Sequence, residues 1–202
     1  MIIIGIDVGV KNLGISSMEW SDDFEEYSLR LCQVVDITTF PHKDSGTCNL
    51  YHDNTYSDFL DHVFHYYEDE FQVADKILIE RQPPGGYVVV EQLIFHQFRQ
   101  KSVLIHPCSV HKYFSWCSDY DLRKGQSVNT AMKYVGDAGN VLNSLTRAHD
   151  VADSICFILY YGFSIRDEIR VVNQSKAALS VQFTDEFTVG DFLNSFAYKL
   201  KT

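Results

Sequence analysis

Ile2-Ile3-Ile4-Gly5-Ile6-Asp7-Val8-Gly9-Val10-Lys11-Asn12-Leu13-Gly14-Ile15 is the stretch on which the reading of this chain turns. Ile2 to Val8 is apolar and β-branched, the composition of a buried strand. Gly9 to Asn12 has turn chemistry, and Leu13 to Trp20 alternates well enough to return as a second strand of a hairpin. Asp7 stands at the end of the first apolar run. A charge there is costly unless it is paired or binds a cation.

Outward from this hairpin, Leu29 to Ile37 reads as a third strand and Pro41 to Thr55 as loop. From Tyr56 to Phe71 the apolar residues Phe59, Leu60, Val63, Phe64, Tyr67 and Phe71 keep helical spacing. Lys76 to Glu80 is a short central strand, stopped by Pro83-Pro84-Gly85-Gly86. Tyr87 to Gln100 predicts a helix, Ser102 to His106 a strand and Val110 to Trp116 a short helix. Ser118 to Gly125 reads as polar loop, Ser127 to Val135 as a helix, and Gly136 to Asn143 as a linker. Thr146 to Tyr161 predicts a helix with Thr146 as its N-cap. Residues 164–202 are weakly patterned, with a short helix expected near Val189 to Tyr198. This order predicts an α/β fold: a mixed central sheet that opens as a three-strand antiparallel meander, continues in βα units, and is flanked by helices. The expected organisation is a domain over 1–163 and a C-terminal extension of unknown role over 164–202.

Three further acids join Asp7. Glu80 ends the apolar strand Ile77-Leu78-Ile79, and Asp150 and Asp153 share one face at the start of the helical run His149-Asp150-Val151-Ala152-Asp153-Ser154-Ile155. Each has an ordinary reading. Asp7 caps a turn, Glu80 pairs with Arg81 or Lys11, and Asp150 and Asp153 are first-turn acids that suit a helix N-terminus. Strand-end acid, strand-end acid and helix-face acid pair, in that order, is a pattern chance seldom produces. Its simplest joint explanation is a pair of hard divalent cations, and with them phosphodiester chemistry.

With 46% apolar residues the chain has ample material for a core, and no window is long and apolar enough to span a membrane. The N-terminus runs straight into a strand, with no secretory or transit signal expected. Cys32, Cys48, Cys108, Cys117 and Cys156 show no Cys-x-x-Cys spacing and read as reduced thiols of an intracellular protein. The net charge of −10 argues against nucleic acid until its distribution is examined. Residues 19–75 hold 14 acidic and two basic residues, leaving 13 acidic and 15 basic elsewhere. Residues 81–133 hold seven basic residues against Glu91, Asp119 and Asp121. One acidic, solubilising region and one mildly basic face are compatible with each other.

Gly5-Ile6-Asp7-Val8-Gly9-Val10-Lys11-Asn12-Leu13-Gly14 resembles the first strand and turn of the RuvC-like Holliday junction resolvases of the ribonuclease H superfamily. Ile77-Leu78-Ile79-Glu80-Arg81-Gln82-Pro83 resembles the second acidic motif of the poxvirus and mitochondrial resolvases. His149-Asp150-Val151-Ala152-Asp153-Ser154 looks like their closing helix motif. The three motifs keep the family order over residues 2–160, and the match with Glu-Arg-Gln-Pro is nearest to the poxvirus enzymes.

The resemblance implies a ribonuclease H-like fold and a homodimeric, Mg²⁺-dependent endonuclease that nicks opposed strands of four-way and other branched DNA, acting in viral DNA recombination, repair and replication. It implies two Mg²⁺ ions per active site, with Mn²⁺ able to substitute, held by the quartet Asp7, Glu80, Asp150 and Asp153. Lys124 is the candidate cation for the transition state, with Lys112 second, and Arg123 beside it a DNA contact. Lys11 and Asn12 read as phosphate contacts or as a solvated turn, while Arg81, Gln82 and Tyr87 border a loop that reads as a strand-ending turn or, as the resemblance implies, as one that enters a junction. The implied location is the cytoplasm of a virus-infected cell. The stripe Val89, Leu93, Ile94, Gln97 and Phe98 is a candidate dimer face or ordinary core.

Three rivals remain. An actin-like or sugar-kinase-like ATPase also opens with Asp-x-Gly, and Gly136-Asp137-Ala138-Gly139-Asn140 echoes a phosphate loop, but such proteins need two domains and 202 residues are too few. A non-catalytic junction-binding protein is expected to have lost carboxylates, and all four are present. An RNA/DNA hybrid nuclease differs only in substrate. His106, Cys108, His111 and Cys117 lack paired zinc spacing and read as packing, and His62 and His65 read as partners on a helix surface.

Overall fold

The opening apolar run forms β1 (Ile2–Asp7), which pairs antiparallel with β2 (Leu13–Trp20), and β2 pairs antiparallel with β3 (Tyr27–Val35). β4 (Lys76–Glu80) lies parallel to β1 on its other side, and β5 (Ser102–Ile105) lies parallel to β4. The sheet order is therefore β3-β2-β1-β4-β5, the mixed sheet expected from the sequence. This computed structural model describes residues 1–39, 48–136, 142–145 and 147–184, with side chains to residue 176.

Alternation along the strands divides the two faces. Ile4, Ile6, Leu13, Ile15, Ile77 and Ile79 point to one side and are fully buried there. They meet Leu60 and Val63 of α1 (Tyr56–Tyr66), Phe71 of α2 (Glu68–Val73), and Val90 and Ile94 of α3 (Val88–Gln97). Each buried aliphatic side chain contributes on the order of 1.5–3 kcal/mol of transfer free energy. Phe98 stacks on Phe71 with centroids 4.8 Å apart. The helices α4 (Pro107–Tyr113), α5 (Tyr120–Tyr134) and α6 (Ala148–Thr184) follow along the chain. Up to Phe163, α6 covers the opposite face of the sheet through Val151, Ser154, Ile155 and Ile158, all buried. Met1–Phe163 forms one compact unit and Ser164–Thr202 a second.

Several expectations are corrected. The single helix over Tyr56 to Phe71 is two, interrupted at Tyr67. Glu68, Asp69 and Glu70 follow at once, three acids that favour a new helix N-terminus over a helix interior. The polar segment Ser118 to Gly125 is not loop from Tyr120 onward. Asp119 accepts from the Leu122 N–H at 3.0 Å and caps α5, so the polar residues are the cap and first turn. The helix expected at Val110 to Trp116 starts at Pro107, with the His106 ring accepting from the Cys108 N–H. Residues beyond Phe163 are helical to Thr184, where the sequence reading saw a weak pattern. No Gly or Pro interrupts 163–184, so no helix breaker stops the chain there. His62 is buried, not on the surface; His65 is exposed, 3.6 Å from Glu68. Of the stripe considered for dimerisation, Ile94 is core, Leu93 and Phe98 are half-buried against it, and Val89 and Gln97 are exposed. The expected N-cap Thr146, the helix near Val189 to Tyr198, the echo at Asp137–Asn140 and part of the loop after Phe40 lie outside the described residues. Among the described residues, no helix is long and apolar enough to cross a membrane.

Candidate active site

The pairing of β1 with β4 places the first two acids. Their shared register ends at Ile6 opposite Ile79, so the next residues, Asp7 and Glu80, close their strands side by side at the carboxyl ends of parallel strands. Crevices at such strand ends are where open α/β sheets hold ligands. Because Ile6 and Ile79 face α1 and α3, alternation turns Asp7 and Glu80 toward α6.

Two glycines bring α6 close. A Cβ on Gly14, which pairs with Asp7 across the hairpin, would lie 2.2 Å from the Asp150 carbonyl oxygen. A Cβ on Gly5 would lie 2.2 Å from the Ser154 carbonyl oxygen. Only residues without a side chain let the helix backbone touch the strands here. Between these contacts the Ser16 and Ser154 hydroxyls bond at 2.6 Å, and Ser154 Oγ also donates to the Val151 carbonyl at 2.7 Å. The first two turns of α6 are thereby fixed above the ends of β1 and β2, and Asp150 and Asp153 come down beside Asp7.

The four carboxylates share one cleft of about 570 Å³. Burial, followed by the charges of Glu80 and Asp153, holds the Asp7 carboxyl well above the usual carboxylate range. Burial is also the main cause that raises Glu80 and lifts Asp153 to about 7, with the Ser127 hydroxyl opposing it at Asp153. Glu80 Oε2 accepts from the Val8 N–H at 3.3 Å and from Gln82 Nε2 at 2.5 Å. Asp150 stands apart from the other three. Arg147 grips it with Nε at 2.7 Å and Nη2 at 3.3 Å, and His149 Nε2 lies 3.2 Å away.

The rest of the cleft wall includes cationic and aromatic side chains. Arg123 and Lys124 of α5 line the cleft, with Lys124 Nζ 4.3 Å from the centre of the Tyr120 ring. Asn12, Gln82 and Tyr87, three of the residues expected from the sequence to contact DNA, also line it. Lys11, Arg81 and Lys112 are exposed and do not line the cleft. Sequence reasoning missed Arg147, Tyr120 and His111. Arg147, three residues ahead of Asp150, was readable as an i,i+3 partner; His111 was read within the Cys/His quartet instead. That quartet does not assemble: His106 caps α4, His111 lines the cleft and Cys117 Sγ contacts the Asp119 carbonyl at 3.7 Å.

The donor set is four hard carboxylates; burial raises Asp7, Glu80 and Asp153, and the like charges of the others add to this at Asp7 and Asp153. Such a set suits Mg²⁺ or Mn²⁺, whose charge reverses the cost of crowding anions.

The fold has known counterparts. The fowlpox virus resolvase in complex with its substrate Holliday junction DNA superposes with a TM-score of 0.56 at 20% identity, over 82% of this chain and 99% of that one. The yeast mitochondrial Holliday junction resolvase gives 0.56 at 16% identity, over 85% and 83%. RuvC of Thermus thermophilus gives 0.50 at 11% identity, over 81% and 96%. At these identities the likeness is one of fold, the ribonuclease H-like arrangement of the resolvases. No curated protein sequence matches the chain. The family described as "Poxvirus A22 protein" matches residues 1–167, which hold β1 through the acidic start of α6, and the chain belongs to that family.

Proposed function

We propose that this protein is a structure-selective endonuclease that resolves four-way DNA junctions by metal-dependent phosphodiester hydrolysis. The observation that carries the reading is the meeting of Asp7, Glu80 and Asp153 from three separate elements, in a cleft that Lys124 and Arg123 also line. Family membership and the likeness to the fowlpox virus resolvase, whose printed substrate is a Holliday junction, support the same reading.

Asp7, Glu80 and Asp153 would hold two Mg²⁺ ions, with Asp150 joining them on release from Arg147. Bound there, Mg²⁺ would supply Lewis acidity toward a water nucleophile and the leaving oxygen, and Mn²⁺ would serve in its place. The chain's own groups do the rest. Gln82 and the Val8 N–H orient Glu80. Lys124 places a positive charge where the phosphate gains negative charge. Arg123, Asn12, Gln82 and Tyr87 hold the strand in the cleft, and the exposed Lys11, Arg81 and Lys112 extend the contact to flanking phosphates. Residues 1–163 are the nuclease domain and 164–202 an extension of it. Two copies act together, each cutting one of two opposed strands, in viral DNA recombination within the infected cell's cytoplasm.

The test compares a mobile four-way junction, a linear duplex of the same sequence and an RNA/DNA hybrid, each with Mg²⁺ and with chelator. Paired nicks in the junction alone, abolished by chelator, are expected. Equal cutting of all three substrates, or cutting that survives chelation, overturns the reading.

A further inference from the structure

Cys48, His52 and His62 stand outside the cleft, yet their ligand atoms converge within 4.8 Å of one another. His62 is buried on α1; Cys48 and His52 come from the chain just ahead of that helix. His62 Nε2 lies 3.1 Å from His52 Nε2 and 3.5 Å from Cys48 Sγ. Zn–N bonds of about 2.0–2.1 Å and Zn–S bonds of about 2.3 Å at tetrahedral angles separate nitrogen from nitrogen by about 3.3 Å and nitrogen from sulfur by about 3.6 Å. The two spacings from His62 are those of ligands around one ion, and Cys48 and His52, within 4.8 Å of each other, need only close around it.

The surroundings orient the donors as well. His62 Nδ1 lies 2.6 Å from the Asp58 carbonyl oxygen. A carbonyl only accepts, so Nδ1 carries a proton, and in the neutral ring the Nε2 lone pair is directed at Cys48 and His52. That is the outer contact which fixes the tautomer of metal-binding histidines. The Asp58 carboxylate is engaged elsewhere, accepting from the Asp53 N–H at 2.8 Å and the Thr55 N–H at 3.4 Å. It thereby holds the chain next to His52 against the start of α1. One thiol and two imidazoles select a borderline-soft cation over Mg²⁺, and Cys48-x-x-x-His52 falls within the short spacing of zinc ligand pairs. None of the five cysteines forms a disulfide.

We propose that Cys48, His52 and His62 bind a zinc ion that pins the segment ahead of α1 onto that helix. Zinc takes the thiolate, so Cys48 gives its proton to solvent on binding, and the fourth position is left to water or another donor. The site is structural and separate from the carboxylate cleft.

The experiment uses the full chain, purified without metal-affinity resin, on an Asp7→Asn background so that the cleft competes less for metal. Elemental analysis should find one zinc per chain. Exchange with Co²⁺ should give a thiolate-to-cobalt charge-transfer band and the strong visible absorption of a tetrahedral site. Cys48→Ser should lose the charge-transfer band and the zinc. His52→Ala, at an exposed position, should lose the zinc while circular dichroism reports a folded chain. A protein isolated without zinc that shows no such band with Co²⁺ overturns the proposal. So does a Cys48→Ser variant that keeps both signals.

Discussion

The two faces of the sheet are built on different principles. The face under α1, α2 and α3 is filled with large aliphatic and aromatic side chains, among them Ile6, Ile79, Phe64 and Phe71. The face under α6 is thinned to Gly5, Gly14 and a Ser16–Ser154 hydroxyl pair where helix meets strand. The first gains stability from apolar volume, and many neighbours share each contact. The second gives up that volume so that a helix backbone comes close enough to set two carboxylates beside two others. Stability and chemistry are thus drawn from opposite sides of the same five strands, and substitutions on the two sides should fail differently.

The largest effect on cleavage is expected at an acid of the α6 face. Asp7→Asn should abolish junction cleavage in Mg²⁺ while gel-shift binding of the junction persists. In chelator its melting temperature should rise, because a neutral amide ends the crowding of buried carboxylates. Retained turnover would remove Asp7 from the site.

Gly14→Ala comes next. Its new methyl meets the Asp150 carbonyl oxygen, so α6 must lift, and a displacement of about 1 Å is enough to cost roughly 100-fold in rate. The aliphatic face is untouched, so the unfolding transition should remain cooperative. Single-turnover cleavage at wild-type rate would show that the close approach of α6 is not needed for chemistry. Ile79→Ala, one residue before Glu80 but turned to the other face, should do the reverse. It should cost about 2–5 kcal/mol of stability in denaturant titration, with the rate per folded molecule near wild type at low temperature.

The same contrast explains what could be read before folding. Strand-end acids were legible because an apolar run and its terminal charge are local in sequence, and Ile77-Leu78-Ile79-Glu80 is one short string. The mixed character of the sheet followed from the meander and the βα alternation, while its strand order came only with the fold. The closeness of α6 was not legible, since Gly5 and Gly14 look like turn or strand-breaking residues until Ser154 and Asp150 arrive from more than a hundred positions away. The Arg147–Asp150 pair was local and was passed over, because the acids were weighed against one another and not against the base just upstream. Cys48, His52 and His62 were not grouped, since His62 falls within a helical stripe and only the fold turns it toward the preceding segment.

The smallest expected effect, on pH-dependent stability, sets the two faces against each other. On the α2 side Glu70 accepts from Arg30 Nε at 2.8 Å and from Ser17 Oγ at 2.7 Å, and the Arg30 bond is the main cause that lowers its carboxyl below the ordinary value. A group depressed by folding stabilises above its unfolded pKa, and that contribution is lost as pH falls through the folded value. On the α6 side Asp153 is raised from 3.8 to about 7. Below its unfolded value the group is protonated in both states and folding carries no penalty. As pH climbs from about 4 to about 7 the unfolded chain releases the proton first, so stability falls across that window and levels off above it. In chelator the two limbs should leave a maximum on the acidic side of neutrality. Mg²⁺ at millimolar concentration should restore the neutral limb by binding the folded state. Glu70→Gln should flatten the acidic limb alone, and Asp153→Asn the neutral limb alone. A chelated wild type whose denaturation midpoint rises from pH 5 to pH 8 would mean that the carboxylates of the cleft are not crowded, and that the α6 face carries no electrostatic strain for a metal to relieve.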